Sequence, residues 1–296
     1  MAMLTQEILI YTALILAGLS LGSFAGASVY RLRARQLVED KKAGEKVDAK
    51  EFKRLKPLSD VSTRRDRSRC LHCGHTLAWY DLLPLVSWLS LKGKCRYCKA
   101  SIGRFEPVIE LSMMAVFVLS YALWPFELST PLAIAQFVLW LAASVGLAIL
   151  FVYDLRWFLL PNSVMFTVIG IAAASATVTV LQSPDVVGTL WSIASAIGIL
   201  SGLYLGLYLA SKGQWVGFGD IKLGLALALL LADWQLAFVA LFAANLIGTA
   251  IVVPGMIRKK LTRKTPVPFG PLLITGFFIA LLFGFDIVNW YMSNLI

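Results

Sequence analysis

The sequence predicts an all-α polytopic membrane protein with about eight transmembrane helices and a large cytoplasmic loop that contains four cysteines. Of its 296 residues, 58% are hydrophobic and only 15% are charged, whereas charged residues make up about a quarter of soluble domains. Apolar runs of about 20 residues, long enough to cross a bilayer as a helix, recur after residue 107. All the cysteines lie in two Cys-x-x-Cys pairs before that point.

The predicted spans are separated by short segments with Pro, Asn, Asp or clustered charges, which interrupt helices. They cover residues 8–29, 108–124, 132–153, 163–181, 188–210, 216–232, 236–257 and 267–290. The first span lacks the basic start and the cleavage pattern of a signal peptide, so we expect it to be a true span. The domains are then the first helix (1–29), a cytoplasmic loop (30–107) and a membrane region with the remaining spans (108–296).

Lysine and arginine predict the side of the membrane that each loop faces. If the spans alternate, all 27 of these residues fall on one side, most of them in 30–107. The positive-inside rule then makes that loop cytoplasmic and leaves both termini outside. The net charge of +10 therefore indicates topology. The loop lacks the aromatic-interleaved basic pattern typical of nucleic-acid binding, so no nucleic-acid partner is expected.

Two parts of the loop lie outside the cysteine pairs. Residues 33–69 are rich in charge, and we expect a solvated linker or a loose surface helix near anionic headgroups, the charged tether being favoured. Residues 79–89 are too short to span a bilayer and too apolar for water. With their Trp and Tyr side chains, they are predicted to lie at the membrane interface.

The four cysteines predict a metal site. They are Cys70, Cys73, Cys95 and Cys98. Two such pairs can wrap four thiolates around one tetrahedral ion, and a reducing cytosol disfavours disulfides. A four-Cys site has no open coordination position, so we expect structural zinc; free or redox-active thiols are the alternative. His72 and His75, beside the first pair, are predicted not to be ligands.

Asp154 and Asp220 are the acidic residues that best indicate function, because acids at membrane depth are costly and usually functional. Asp154 closes the third predicted span and Asp220 opens the sixth, about one turn inside the membrane. Two carboxyl groups that face each other can share a proton and act as general base and general acid, as in aspartic proteases. Ordinary ion pairs with Arg156 and Lys222 are the alternative. Glu110, about one turn into the second span, can pair with a cation or cap that helix.

Several motifs together resemble the prepilin peptidases (type IV leader peptidases), which are Gly-x-Gly-Asp aspartic proteases. In chain order the motifs are Gly22-Ser23-Phe24, Tyr30-Arg31-Leu32, the two cysteine pairs with His75, Trp79-Tyr80-Asp81, Pro84-Leu85, Ser87-Trp88-Leu89 and Gly93, Arg104, Pro107, Glu110-Leu111, Asp154-Leu155, Leu159-Leu160-Pro161, Gly217 to Leu223, and Pro268-Phe269-Gly270-Pro271. Departures from the family pattern fall at Ala25-Gly26, Leu71, Asn162 and the long stretch 33–69. None of them is either aspartate.

The resemblance implies that Asp154 and Asp220 are the catalytic pair of a membrane aspartic endopeptidase in the inner (plasma) membrane. Its substrates would be prepilins or pseudopilins, cut between a basic leader and an apolar helix at the cytoplasmic face. The family also N-methylates the new amino terminus with S-adenosylmethionine. No Gly-rich nucleotide-binding pattern follows a strand in this sequence, so residues for that cofactor are not assigned.

Two other functions remain open. A proton-coupled transporter could use the same aspartates as relay groups, although the repeat symmetry expected of transporters is not visible. A non-catalytic membrane assembly factor could dock partners through the loop. Such a factor would keep its function when either aspartate is replaced.

Overall fold

The computed structural model describes residues 2–59, 67–125, 127–259, 262, 265 and 267–295. Within these residues the regular secondary structure is helical apart from two isolated β-bridges. This is expected in lipid, where a helix satisfies its own backbone hydrogen bonds. The predicted all-α membrane fold is confirmed. The chain divides into two compact units, Met1–Ala122 and Leu123–Ile296, while the boundary expected at residue 108 stays a prediction.

The helices are named here by unit. In the first unit they are α1 (Ala2–Lys42), α2 (Ala49–Leu55), α3 (Val86–Ser90) and α4 (Phe105–Ala122), with 3₁₀ turns at Lys56–Leu58 and Trp79–Leu82. In the second unit they are α5 (Pro131–Trp157), α6 (Asn162–Gln182), α7 (Val186–Ile197), α8 (Leu203–Ser211), α9 (Phe218–Leu231), α10 (Trp234–Ile257) and α11 (Phe269–Leu295), with a π-helical turn at Gly198–Gly202 between α7 and α8.

Helix α1 packs along α4 at very short range. A Cβ atom at Gly18 or Gly22 would lie 2.7 Å from the Cα of Met114 or Glu110, respectively, so only glycine permits this approach. With 41 residues, α1 is about 60 Å long, roughly twice the bilayer core. It therefore continues well beyond the predicted span 8–29.

The expectation of a solvated linker over residues 33–69 is wrong for the part that the structure describes. The end of α1 and the α2 segment share a small apolar core formed by Ala34, Leu37, Leu55 and Leu58. The side chains of Arg33 and Glu51 join the same two segments through an ion pair of 2.8 Å. The charges lie on the outer helix faces, and the apolar residues recur at helical spacing on the inner faces. Residues 60–66 lie outside the described residues.

Seven helical segments in the described residues are long and apolar enough to cross a membrane, where α7, the π-helical turn and α8 count as one segment, Val186–Ser211. This is therefore a multi-pass membrane protein. They correspond to every predicted span except 216–232. That segment forms α9, whose 14 residues extend only about 21 Å, less than the bilayer core. Although short, α9 is largely buried and packs against α6, α11 and the π-helical turn.

The π-helical turn meets α9 without side chains between them. A Cβ atom at Gly224 would lie 2.0 Å from the carbonyl oxygen of Leu200, and the Ser201 hydroxyl donates to the Ile221 carbonyl at 2.9 Å. Gly224 is therefore required for this contact. Gly198 and Gly206 differ, because a Cβ atom there would meet no described atom within 4 Å.

Candidate active site and metal centre

Asp154 lies one turn before the end of α5 and is only 6% exposed. Its Oδ2 accepts a hydrogen bond of 3.0 Å from the backbone N–H of Gly270. Gly270 is the second residue of α11, where backbone N–H groups have no partner within the helix. A Cβ atom at Gly270 would lie 2.8 Å from the same Oδ2. A side chain at this position would therefore displace the carboxylate.

Asp220 lies in the first turn of α9 and is half-buried. Its backbone N–H donates to the carbonyl of Gly217, the N-cap residue, at 3.1 Å. A Cβ atom at Gly219 would lie 3.0 Å from Cδ1 of Leu160, which follows α5 in the chain. The start of α9 thus lies against the segment that leaves the helix of Asp154.

The structure places Asp154 and Asp220 near enough for their carboxyl groups to interact electrostatically. Helix α11 packs against both α5 and α9, the helices that hold them. Gly270, at the start of α11, belongs to a motif that the sequence analysis identifies, but the sequence gives it no role in the site. Nothing in the local sequence shows that its N–H binds a carboxylate 116 residues away.

The alternative ion pair between Asp220 and Lys222 is not found among the described residues. The Nζ of Lys222 donates instead to Oδ1 of Asn162, the first residue of α6. It also lies 5.5 and 5.2 Å from the ring centroids of Phe166 and Phe218. Lys222 therefore faces α6. Asp220 and Lys222 are two positions apart on α9, and residues at that spacing do not share a helix face, so the absence of this ion pair is expected.

The four cysteines form one cluster in the first unit, and their Sγ atoms all lie within 4.8 Å of one another. A Zn–S distance of about 2.3 Å in a tetrahedron places the sulfur atoms about 3.8 Å apart. The Sγ atoms of Cys70 and Cys98 are separated by 3.9 Å. The donor set and its spacing therefore fit a tetrahedral zinc ion.

The two cysteine pairs adopt the same turn. In each, the residue after the second cysteine has a positive φ, 72° at Gly74 and 58° at Lys99. The N–H of that residue donates to the carbonyl of the first cysteine, at 2.9 Å to Cys70 and 3.0 Å to Cys95. Each turn points both thiols of its pair to one side, which explains why the spacing alone predicted the site.

Asp81 joins the segment between the pairs to the second pair. Its carboxylate accepts hydrogen bonds from the Arg96 guanidinium (2.7 Å), the Tyr97 hydroxyl (3.1 Å) and the Ala78 N–H (3.2 Å). Burial raises the pKa of Asp81, but these hydrogen bonds outweigh it and hold the pKa below its ordinary value. The His75 ring lies 3.7 Å from the ring of Tyr97, so the two pairs also meet through side chains.

Glu110 is buried in α4 and accepts a hydrogen bond of 2.8 Å from the N–H of Leu85. Leu85 precedes α3 and has a φ of 57°, a conformation that non-glycine residues rarely adopt. Glu110 therefore caps the start of α3 instead of its own helix. This role, left open by the sequence, depends on contact between segments 25 residues apart.

The segment Trp79–Leu89 presents apolar side chains outward. Trp79 is 72% exposed, Val86 61% and Leu89 65%. Such a surface is unfavourable in water and suits the interface of a bilayer, where Trp side chains are preferred. The position predicted for residues 79–89 remains a proposal, and their exposure supports it.

Comparison with known proteins identifies the family. Residues 16–124 match the Bacterial Peptidase A24 N-terminal domain, and residues 141–253 match the Type IV leader peptidase family. A prepilin leader peptidase/N-methyltransferase of Aeromonas hydrophila is 30% identical over 77% of this chain and 75% of its own. The chain belongs to the type IV leader peptidase family. The resemblance stated from the motifs is confirmed.

Further type IV leader peptidase relatives extend the match. The prepilin leader peptidase/N-methyltransferase of Bacillus subtilis (strain 168) is 30% identical over 77% of this chain and 86% of its own. That of Stutzerimonas stutzeri is 28% identical over 93% of this chain and 91% of its own. No solved structure matches the chain. The chain is thus an enzyme, a peptidase whose first matched region contains the four cysteines and whose second contains both aspartates.

Proposed function

We propose that this type IV leader peptidase is a membrane aspartic endopeptidase that removes the basic leader of prepilins or pseudopilins at the cytoplasmic face of the inner membrane. The observation that carries the proposal is the proximity of the Asp154 and Asp220 carboxyl groups, which lie near the end of α5 and the start of α9 and interact electrostatically. The relatives named prepilin leader peptidase support the substrate class.

The chemistry uses two carboxyl groups that hold one proton between them, because like charges in contact do not both ionise. The ionised carboxylate accepts a proton from water as the water oxygen bonds to the scissile carbonyl carbon. The protonated carboxyl then gives its proton to the leaving nitrogen as the C–N bond breaks. The Gly270 N–H binds Oδ2 of Asp154, which leaves Oδ1 of Asp154 to accept the hydrogen bond of the water in this proposal.

The short helix α9 supports a cut near the membrane edge. If its carboxyl end reaches the outer face, a helix of about 21 Å leaves its amino end, with Asp220, inside the membrane plane. The lysine and arginine distribution makes that end cytoplasmic. An inserted prepilin helix keeps its basic leader in the cytoplasm, so its scissile bond would lie at the same depth. The glycines at 217 and 219 leave room beside Asp220 for an extended peptide.

In the first unit, we infer that the four cysteines hold zinc as a structural ion. Four thiolates close the coordination sphere, so the ion supplies folding energy and takes no part in cleavage. Zinc content of the reduced, purified protein, measured by elemental analysis, tests this inference. A protein without zinc would contradict it and would leave the aspartate mechanism unaffected.

A second activity, N-methylation of the new amino terminus, is supported by the names of the relatives. A cavity of about 470 Å³ in the first unit, lined by Arg31, Arg69 and Glu110 among others, falls in the size range of cofactor sites. The Nε of Arg69 is buried and has no hydrogen-bond partner in the described part of the chain. This orphaned donor fits the carboxylate of S-adenosylmethionine, which supplies the methyl group when bound. Glu110 would face the cationic part of the cofactor.

The test of the peptidase is cleavage of a prepilin by the purified protein. Asp154→Asn and Asp220→Asn keep the size of the side chain and remove its acid–base function. We expect each to lower the cleavage rate by about 10³-fold or more. Asp286→Asn, at an exposed position on α11, is the matched control and should cleave like the parent.

The same variants separate the alternatives. A transporter or an assembly factor predicts that Asp154→Asn and Asp220→Asn leave prepilin cleavage at the level of the parent protein. That result would end the aspartic protease proposal.

A further inference from the structure

Tyr204 is a buried polar residue with no role in the mechanism above. It lies at the start of α8, directly after the π-helical turn, and is only 4% exposed. Its hydroxyl has no hydrogen-bond partner among the residues that the structure describes. Buried hydroxyl groups nearly always have a partner, so this one is expected to bind water, a ligand or a reaction intermediate.

Interactions of Tyr204 and of its neighbours link it to both aspartates. Ser201, one turn earlier, donates to the carbonyl of the residue that follows Asp220. The Tyr204 ring meets the ring of Phe269 edge-on at 5.3 Å, and the next residue, Gly270, donates to Asp154. The Tyr204 hydroxyl also interacts electrostatically with Asp220. Tyr204 is therefore linked to Asp220 by an electrostatic interaction and, through Phe269 and Gly270, to Asp154.

The π-helical turn explains how Tyr204 reaches this position. Such turns widen a helix locally and are frequent at functional sites. Here the turn lies against α9, since the Leu200 carbonyl occupies the space that a side chain at Gly224 would need. With α9 this close, the residues on the same face one turn later are brought to the start of α9, where Asp220 lies.

The Asn245 side chain on α10 is the competing partner. Its amide lies close to the Tyr204 hydroxyl and acts on the hydroxyl oxygen as a donor, at a geometry outside that of a regular hydrogen bond. The amide nitrogen carries two hydrogens, and one of them is donated to the carbonyl of Leu241 at 2.8 Å. Because the amide nitrogen cannot accept a hydrogen bond, the O–H of Tyr204 stays available as a donor to a group in the catalytic centre.

We propose that Tyr204 is a third polar group of the catalytic centre, whose hydroxyl donates a hydrogen bond to the carbonyl oxygen of the scissile peptide bond. Negative charge develops on that oxygen as water adds to the carbonyl carbon, so the hydrogen bond strengthens in the tetrahedral intermediate. The tyrosine keeps its proton, and the water still gives its proton to the carboxylate. The inference rests on the proposed aspartic mechanism.

The experiment measures prepilin cleavage by the purified full-length protein in lipid, with kcat and KM determined separately. Tyr204→Phe removes the hydroxyl and keeps the ring against Phe269. We expect kcat to fall about 10- to 100-fold, with KM and melting temperature close to those of the parent. Tyr208→Phe, one turn further along α8 with its ring 5.7 Å from that of Phe218, is the matched control and should retain the parent kcat.

Asp220→Asn, measured in parallel, separates the two proposals. An inactive Asp220→Asn with a Tyr204→Phe kcat within twofold of the parent would overturn the role of Tyr204 and leave the aspartic mechanism standing. A kcat loss matched by an equal loss of folded protein would overturn it as well, since the hydroxyl would then be structural. An active Asp220→Asn would overturn both proposals.

Discussion

The metal centre and the carboxylate site differ in how the chain builds them. The thiols of Cys70 and Cys98 are 28 residues apart, and each cysteine pair is shaped by its own turn. The Asp154 contact with Gly270 spans 116 residues and exists only because α11 packs against α5 and α9. A site made of local turns can be predicted from spacing, whereas a site made where helix ends meet depends on the packing of the whole bundle.

The largest expected effect tests the local site. Cys95→Ser removes one buried ligand, and we expect zinc content to fall from about one ion per chain to near zero. The melting temperature should fall as well, because structural zinc supplies roughly 10 kcal/mol or more of folding energy. Elemental analysis and thermal melting measure these two changes. The exposed neighbour His72, replaced by alanine, should retain the metal. Equal zinc in both variants would show that the turns do not form a metal site.

The next effect tests the distant site. Gly270→Ala would place a methyl group 2.8 Å from Oδ2 of Asp154 and displace the carboxylate. We expect prepilin cleavage to slow about 10- to 100-fold, since small misplacements of catalytic groups are costly. Zinc content should not change. Gly206→Ala, which meets no described atom within 4 Å, should cleave like the parent, and parental activity in Gly270→Ala would argue against this geometry.

A smaller effect tests the packing of the π-helical turn against α9, the helix that holds Asp220. In Gly224→Ala the new methyl group meets the backbone carbonyl of Leu200, which cannot rotate away. We expect a loss of about 1–3 kcal/mol in the free energy of unfolding, as for overpacked cores. Denaturation in detergent measures it. Gly170→Ala, which meets no described atom within 4 Å on α6, should be neutral or slightly stabilising, and a similar loss in both would contradict the prediction.

The smallest effect concerns the contacts around the metal centre. Asp81→Asn removes a charge that accepts from Arg96 and Tyr97, and we expect zinc loss to a chelator to be a few times faster at pH 7. Because the pKa of Asp81 is lowered, its stabilising contribution is present above the ordinary value and is lost as pH falls below it. The exposed Glu39→Gln should lose zinc at the parent rate. Equal rates at pH 7 would remove the role of Asp81.

Two expectations illustrate where sequence reasoning stopped. The charged composition of 33–69 favours a solvated tether over a surface helix, yet Leu37 and Leu55 meet in a small core. The sequence predicts a span over 216–232, yet its helix has only 14 residues. In both cases composition measures average polarity, while burial depends on which residues face a neighbouring helix.

The sequence by itself determined that the chain is a helical membrane protein, that four thiols can share one ion, and that two acids at helix ends are candidates for catalysis. Hydropathy and residue spacing are local properties, and each of these conclusions needs nothing more. Only the tertiary structure decided that the Gly270 N–H meets Asp154, that Glu110 caps α3, and that the Tyr204 ring packs against Phe269. These contacts join segments far apart in the chain, so they depend on how the helices pack, and glycines such as Gly22 and Gly224 allow the backbones to approach.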